Sequence, residues 1–374
     1  MCCSNYGITT DTPPTMNSDQ LTYTIALTQL FLNRSRKLRE LLKVCPTPQE
    51  AWERIQMTGK QQALDRAKRE LEFINKHHIA TYFLKDDNYP RLLAQCPDAP
   101  VLLYAKGNIN LTDGHFISIV GTRQATERGK INTRDLVLEL ANKLPKLTII
   151  SGLAYGIDIA AHRAALEAGI PTLIIPAHGL DRIYPPLHRP EAIRALENGG
   201  ILTEYMTETI PEKQNFVARN RIVAGLAECT IVMESRARGG ALITASMAFD
   251  YNRPVFAVPG RINDDSSAGC NALIRDHKAS LIQHPDDLIQ AMLWDNDRKP
   301  VQQTLPGLNS DVELNLSTQQ HTILMLLREA DEGMLINELV EETQIAYSDV
   351  ITELMYLEMK KCIKSLPGGK FMAL

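Results

Sequence analysis

Phe116-Ile117-Ser118-Ile119-Val120-Gly121-Thr122-Arg123 is an apolar run that stops abruptly at a glycine, a hydroxyl and a guanidinium. Its β-branched and aromatic residues read as a buried strand, and the glycine as the turn that ends it. Five further stretches repeat the pattern before residue 265. Residues 147–150 run into Ser151-Gly152-Leu153-Ala154-Tyr155-Gly156, and residues 172–175 into a loop holding His178, Arg182 and Tyr184. Residues 201–203 run into Glu204-Tyr205, residues 230–233 into Ser235-Arg236-Ala237-Arg238-Gly239-Gly240, and residues 255–258 into Pro259-Gly260-Arg261. Helical periodicity fills the gaps at 126–142, 157–168, 218–226, 242–251 and 285–293. Strands that alternate with helices lie parallel, so their carboxyl ends gather on one edge of the sheet. Ligands of such sheets bind in the crevice outside that edge. Arginines, glycines and aromatics are therefore expected to meet in one basic cleft of an α/β domain.

Outward from this block the pattern changes. Residues 1–18 are polar, carry Pro13-Pro14 and read as a disordered tail. Residues 19–76 read as a small all-helical domain; Thr47-Pro48-Gln49-Glu50 is a capping box with proline at the first helical position. Short strands at 81–84 and 101–104 lead into the α/β domain, which spans 77–294. Residues 295–312 read as a linker. In residues 313–374, three short helices precede a hairpin that turns at Pro367-Gly368-Gly369, which is the winged-helix pattern.

With 374 residues the chain has room for two or three domains and a sizeable core. Its 44% hydrophobic and 22% charged content is that of a globular protein. No apolar run is long enough to cross a membrane and residues 1–6 lack the shape of a signal peptide, so a cytoplasmic location is expected. Seven cysteines without a Cys-x-x-Cys pair read as free thiols, with Cys229 and Cys270 buried. The net charge of −4 does not announce nucleic acid. Local field decides phosphate binding, and many arginines of the middle block lie in the strand-end loops. Residues 313–374 carry 5 Lys/Arg against 10 Asp/Glu, and acids on the third helix there suit a protein contact better than a DNA groove.

Lys213-Gln214-Asn215-Phe216-Val217-Ala218-Arg219-Asn220-Arg221 is the most telling segment for chemistry. Cations and a ring recur at spacings of three, which puts them on one face of a helix or turn. Cations neutralise phosphates and a flat ring stacks on an unpaired base; together they suffice for sequence-tolerant single-strand binding. The competing reading is a core Phe216 with ion-paired arginines. Gly121-Thr122-Arg123 can admit a phosphate to the backbone and offer it a fork donor. Gly239 and Gly240 open a helix that reaches Thr244, and can cradle a phosphate with N–H groups. The glycines at 152 and 156 do not make a dinucleotide fingerprint, and no P-loop occurs. Asp158 and His162 are spaced as a ligand pair, but no third ligand is spaced to help. They read as a helix-start carboxylate and a packed imidazole. No nucleophile, general base, metal site or cofactor site stands out, so no enzymatic activity is expected.

Taken in order, these residues resemble the DNA-processing protein A (DprA/Smf) family over about 80–294. The resemblance rests on Gly121-Thr122-Arg123, Ser151-Gly152 through Asp158, and Gly179 through Pro185. It continues through Phe216 with Arg219-Asn220-Arg221, Leu242 to Ala245, Pro259-Gly260 and Asn271 to Ile274. It implies an extended Rossmann-like domain with a mostly parallel sheet, a sterile-alpha-motif-like helical domain before it and a winged-helix domain after it. It also implies single-stranded DNA binding, a homodimer through the Rossmann-like domain, and loading of the recombinase RecA in natural transformation. The family's DNA pocket maps onto Arg123, Lys213 and Phe216, with Arg219 and Arg221 as neighbours. Arg238-Gly239-Gly240-Ala241 departs from the family's usual Ser-Gly-Ser-Leu, losing two hydroxyls and gaining an arginine. The alternative is a Rossmann-like nucleotide phosphoribohydrolase, against which stand a missing proline before Gly239 and a missing glutamate after Thr244.

Overall fold

The computed structural model describes residues 16–32, 34–294, 316–330, 333–360, 362–366 and 369–373. The chain enters through α1 (Ser18–Leu30), α2 (Ser35–Val44), α3 (Pro48–Arg54) and α4 (Lys60–His77). At the start of α3 the Thr47 hydroxyl accepts the Glu50 N–H at 3.2 Å, with Pro48 in the first turn; this is one of the two bonds of the expected capping box, and the Glu50 carboxylate accepts from the Thr47 hydroxyl at 3.4 Å. These helices do not keep a core to themselves. Ile25, Leu27, Leu38 and Ala51 pack with Phe83 of β1 (Ala80–Phe83), with Leu102 and Tyr104 of β2 (Leu102–Asn108), and with Val101 just before β2. The buried Glu70 carboxylate accepts from Thr207 N at 3.0 Å and pairs with Arg66 at 3.2 Å. Helices and sheet therefore belong to one compact unit.

Between β1 and β2 lies α5 (Arg91–Ala94). The chain then alternates: β3 (His115–Val120), α6 (Glu127–Lys143), β4 (Leu147–Ser151), α7 (Ile157–Ala168), β5 (Thr172–Ile174), α8 (Arg189–Ala195), β6 (Gly199–Thr203), α9 (Lys213–Leu226), β7 (Cys229–Val232), α10 (Gly240–Asp250) and β8 (Val255–Ala257). It ends with α11 (Ala268–Arg275), β9 (Ser280–Leu281) and α12 (Pro285–Ala291). The nine strands run in the order β1-β2-β6-β5-β4-β3-β7-β8-β9. The six strands that end in polar loops pair in parallel with one another; of this sheet's pairings only β1–β2 and β2–β6, made by the short leading strands, are antiparallel.

Strand alternation divides the core between the two faces. Ile117 and Ile119 of β3 pack with α6 and α7 residues such as Val137 and Ala161, while Phe116 and Val120 pack with Ile222 of α9 and Ala245 of α10. From β3 the chain steps outward through β4, β5 and β6, then returns to place β7 on the other side of β3. That reversal opens the crevice at the carboxyl ends of β3 and β7. The helix expected over 218–226 starts five residues earlier, at Lys213. The short elements α5, α8, α11 and β9 had no periodicity long enough to read.

The second unit holds α13 (Thr318–Glu329), β10 (Met334–Leu335), α14 (Ile336–Thr343), α15 (Tyr347–Met359), β11 (Ile363–Leu366) and β12 (Lys370–Ala373). Its strands pair antiparallel in the order β10-β12-β11 over a core of Ile323, Leu327, Leu339, Val350 and Leu354. This is the expected winged helix. Of the tail expected over 1–18, residues 1–15 lie outside the described residues, and Ser18 already opens α1. The linker expected over 295–312 and two residues of the hairpin turn, 367 and 368, lie outside them as well.

Candidate functional site

The crevice is a cleft of about 750 Å³, lined by the loop after β3, the start of α9 and the start of α10. Its geometry begins at Gly121. A Cβ there would stand 2.4 Å from Ile157 Cγ1 and 3.0 Å from the Glu234 carbonyl oxygen, so only glycine lets the chain leave β3 beside α7. Glu234, at the end of β7, then holds the loop at two points. Its carbonyl accepts Thr122 N–H at 2.8 Å. Its buried carboxylate accepts Thr126 N–H at 2.9 Å and the Thr126 hydroxyl at 2.5 Å, at the amino end of α6. This role could not be read from the residue order, because an acid after an apolar strand looks like any solvated loop residue. Between the two anchors Arg123 stands exposed, its Cζ 4.9 Å from the centre of the Phe216 ring.

Lys213, Phe216, Val217 and Asn220 form one stripe of α9 facing the cleft, the i, i+3, i+4, i+7 spacing of a helix. Lys213 is exposed and Phe216 half-buried. The core reading of Phe216 is therefore set aside: its ring lies under a guanidinium at the cleft wall. Arg219 and Arg221 have separate fates. Two positions on a helix are about 200° apart, so the two side chains leave α9 on nearly opposite sides. Arg219 turns inward and forms the cleft floor, donating to the Ile175 carbonyl, while its Nε has no partner among the described residues. Gly152 makes the room: a Cβ there would fall 2.3 Å from Arg219 Nη1. Arg221 leaves the cleft altogether, pairs with Glu204 and donates to the Asp98 carbonyl at 2.7 Å.

The far wall is Arg238, Gly239, Gly240, Ala241, Ile243 and Thr244. Here α10 begins at Gly240 without a side-chain cap, so its amino end faces the cleft with N–H groups and a positive dipole end. Gly240 has open space around it, whereas a Cβ on Gly239 would meet Ser235 Oγ at 2.2 Å. Thr244 is buried. Arg238, expected in a basic strand-end loop but not named among the DNA-pocket residues, is exposed on the rim. Thus Gly121, Thr122, Arg123, Lys213, Phe216, Arg219, Asn220, Gly239, Gly240 and Thr244 line one cleft, and Arg221 does not.

The electrostatics are one-sided. Four cations line the cleft, Arg123, Lys213, Arg219 and Arg238, against one acid among the described residues, Asp158. The ion pairs of the described residues involve other cations, so Arg123, Lys213 and Arg238 keep their charge for a ligand. Burial pulls the Arg219 pKa down to about 10, with Asp158 opposing the shift, so it stays cationic at neutral pH. Burial likewise raises the Asp158 carboxyl against the pull of Arg219, and Ala154 N–H donates to it at 3.3 Å. His162 is fully buried with Nδ1 2.7 Å from the Thr172 hydroxyl, the packed imidazole the spacing suggested.

Comparison with known proteins places the chain among relatives. A family model described as DNA recombination-mediator protein A matches residues 80–293, and one described as the DprA winged helix domain matches residues 310–369. DNA processing protein DprA of Streptococcus pneumoniae is 39% identical over 223 residues, covering 58% of this chain and 78% of that protein. Protein Smf of Escherichia coli is 31% identical over 304 residues, covering 80% of this chain and 78% of that one. Among solved structures, DprA of Streptococcus pneumoniae superposes with a TM-score of 0.57 at 33% identity, over 72% of this chain and 92% of that one. DNA processing protein A of Helicobacter pylori, whose structure describes a single-stranded DNA binding mode, gives a TM-score of 0.52 at 32% identity, over 58% of this chain and 96% of that one.

Proposed function

Because the chain belongs to the DNA recombination-mediator protein A family (DprA/Smf), we propose that it is a non-enzymatic binder of single-stranded DNA that holds the strand in the β3–β7 cleft. One observation carries this reading: an exposed arginine stacked on a half-buried phenylalanine, with a lysine, a second exposed arginine and an open helix amino end around them. Cations and N–H groups meet phosphates; the ring and the guanidinium plane meet bases. Stacking on a ring and neutralising phosphates tolerate any base, so weak sequence preference is part of this reading. In line with the family, the chain protects incoming single strands in the cytoplasm, pairs as a homodimer through its α/β domain, and loads a RecA recombinase in natural transformation. The nucleotide-cleaving alternative needs a carboxylate open to substrate, and Asp158 is instead buried against Ala154 N–H.

The test is a salt series with a labelled oligothymidylate. Log affinity for a single strand falls with log salt by roughly 0.7 per neutralised phosphate. Arg123→Ala and Lys213→Ala should each weaken binding and flatten that slope by about 0.7. Equal affinity for duplex and single strand, or an unchanged slope in both variants, would refute the reading.

A further inference from the structure

Phe216 has a second aromatic neighbour that the cleft does not account for. Tyr184 lies in the loop after β5, with its ring centre 6.0 Å from that of Phe216 and the planes 54° apart. It is 43% exposed, whereas Tyr89, Tyr104 and Tyr205 of the same domain are buried. The loop is not loose. Tyr184 N–H donates to His178 Nε2 at 3.1 Å, and His178 Nδ1 holds the Gly179 carbonyl at 2.8 Å. That imidazole is buried, and its pKa is lowered chiefly by burial, so the neutral tautomer that accepts from Tyr184 is the favoured one. The His178 carbonyl is itself fixed by the Thr203 hydroxyl at 3.0 Å. A buried scaffold thus presents an exposed ring at the edge of the cleft. On one side Phe216 meets the Arg123 guanidinium, and on another it meets Tyr184.

We propose that Tyr184 is a second stacking platform, taking the base next to the one that engages Phe216 and Arg123, so that the strand leaves the cleft across the loop after β5. The proposal rests on the single-strand reading above. A planar guanidinium and two rings in succession offer π-faces to successive bases without reading their edges, which suits a sequence-tolerant ligand. Tyr184 makes no hydrogen bond through its hydroxyl among the described residues, so the ring rather than the oxygen is the working group.

The experiment uses the shortest labelled oligothymidylate that saturates binding, with one abasic site moved along it, on the full chain and its variants. Tyr184→Ala should lose affinity roughly 5- to 150-fold, the roughly 1–3 kcal/mol that alanine substitution costs a base–aromatic stack. It should also make one abasic position silent that is costly in the unaltered chain. Phe216→Ala should silence a neighbouring position, and Tyr184→Phe should bind as the unaltered chain does. Unchanged affinity in Tyr184→Ala, or a loss that silences no position, overturns the proposal while Arg123→Ala and Phe216→Ala remain weak binders. If those two variants also bind normally, the single-strand reading fails first, and this inference with it.

Discussion

The two ends of α7 offer a controlled test of how the cleft is held. Gly156 precedes the helix at φ 77°, ψ −121°, and Gly169 follows it at φ 70°, ψ 15°. Both adopt backbone that favours glycine, but their surroundings differ. A Cβ on Gly156 would stand 2.1 Å from the Thr122 carbonyl oxygen and 2.8 Å from the Arg123 carbonyl carbon; a Cβ on Gly169 would meet nothing within 4 Å. Gly169→Ala therefore bears only the left-handed penalty, about 1–2 kcal/mol. Gly156→Ala bears a backbone penalty of about 1–3 kcal/mol and an overpacking penalty of about 1–3 kcal/mol against main chain that cannot swing aside. The sum is roughly 2–6 kcal/mol, and the collision pushes directly on the loop that carries Arg123. Both tryptophans, Trp52 and Trp294, lie in the first unit, so urea unfolding followed by their fluorescence reads that unit alone. Gly156→Ala should unfold at clearly lower urea than Gly169→Ala. It should also bind oligothymidylate as weakly as Arg123→Ala, with Gly169→Ala binding normally. Equal destabilisation of the two variants with intact binding in both would show that the contact between α7 and the arginine loop does not hold the cleft.

Two further outcomes follow from the same framework. Glu234→Ala removes two hydrogen bonds to a buried carboxylate at the start of α6, worth about 1.5–3 kcal/mol each, and frees the loop at its Thr126 end while the backbone bond to Thr122 stays. Stability and oligonucleotide affinity should both fall, and Glu234→Gln, whose amide oxygen still accepts Thr126 N–H, should restore part of each; normal binding in Glu234→Ala would remove its positioning role. His162 is held at a pKa of about 3, chiefly by burial and then by Arg219, against 6.5 when free. Between those values the unfolded chain binds a proton that the folded one does not. Stability from this group is thus full above pH 6.5 and falls toward pH 3, by up to about 1.4 kcal/mol per pH unit. In urea titrations at pH 7 and 5, His162→Gln should lose less stability on acidification than the unaltered chain; parallel losses would contradict the assignment.

The stripe of Lys213, Phe216 and Asn220 was legible because helical spacing is local: three side chains share a face wherever the helix sits. The same spacing drew in Arg219 and Arg221, and there local information ran out. Which face of α9 meets the sheet depends on Asp98, Glu204 and Gly152, and none of these lies within the helix whose spacing was read. Arg221 became an internal ion pair because Glu204, just after β6, stands within its reach. Glu234 went unread for a similar reason, since its carboxylate finds Thr126 across 108 positions of chain. The helical region at 19–76 read as a domain of its own because periodicity reveals an amphipathic face but not what covers it; β1 and β2 cover it.

By itself, then, the order of residues determined the parallel sheet, the rim on which its loops gather, the winged helix and the chemistry available to the cleft. Each follows from repeating patterns, two residues for strands and 3.6 for helices, which the chain carries in every short window. Tertiary structure alone decided that Arg123 lies on Phe216, that Arg219 sits beneath the cleft and Arg221 behind it, and that Tyr184 stands at the edge. Those outcomes depend on which distant residue reaches a buried charge or an exposed ring first, and a buried charge takes the partner that close packing puts beside it.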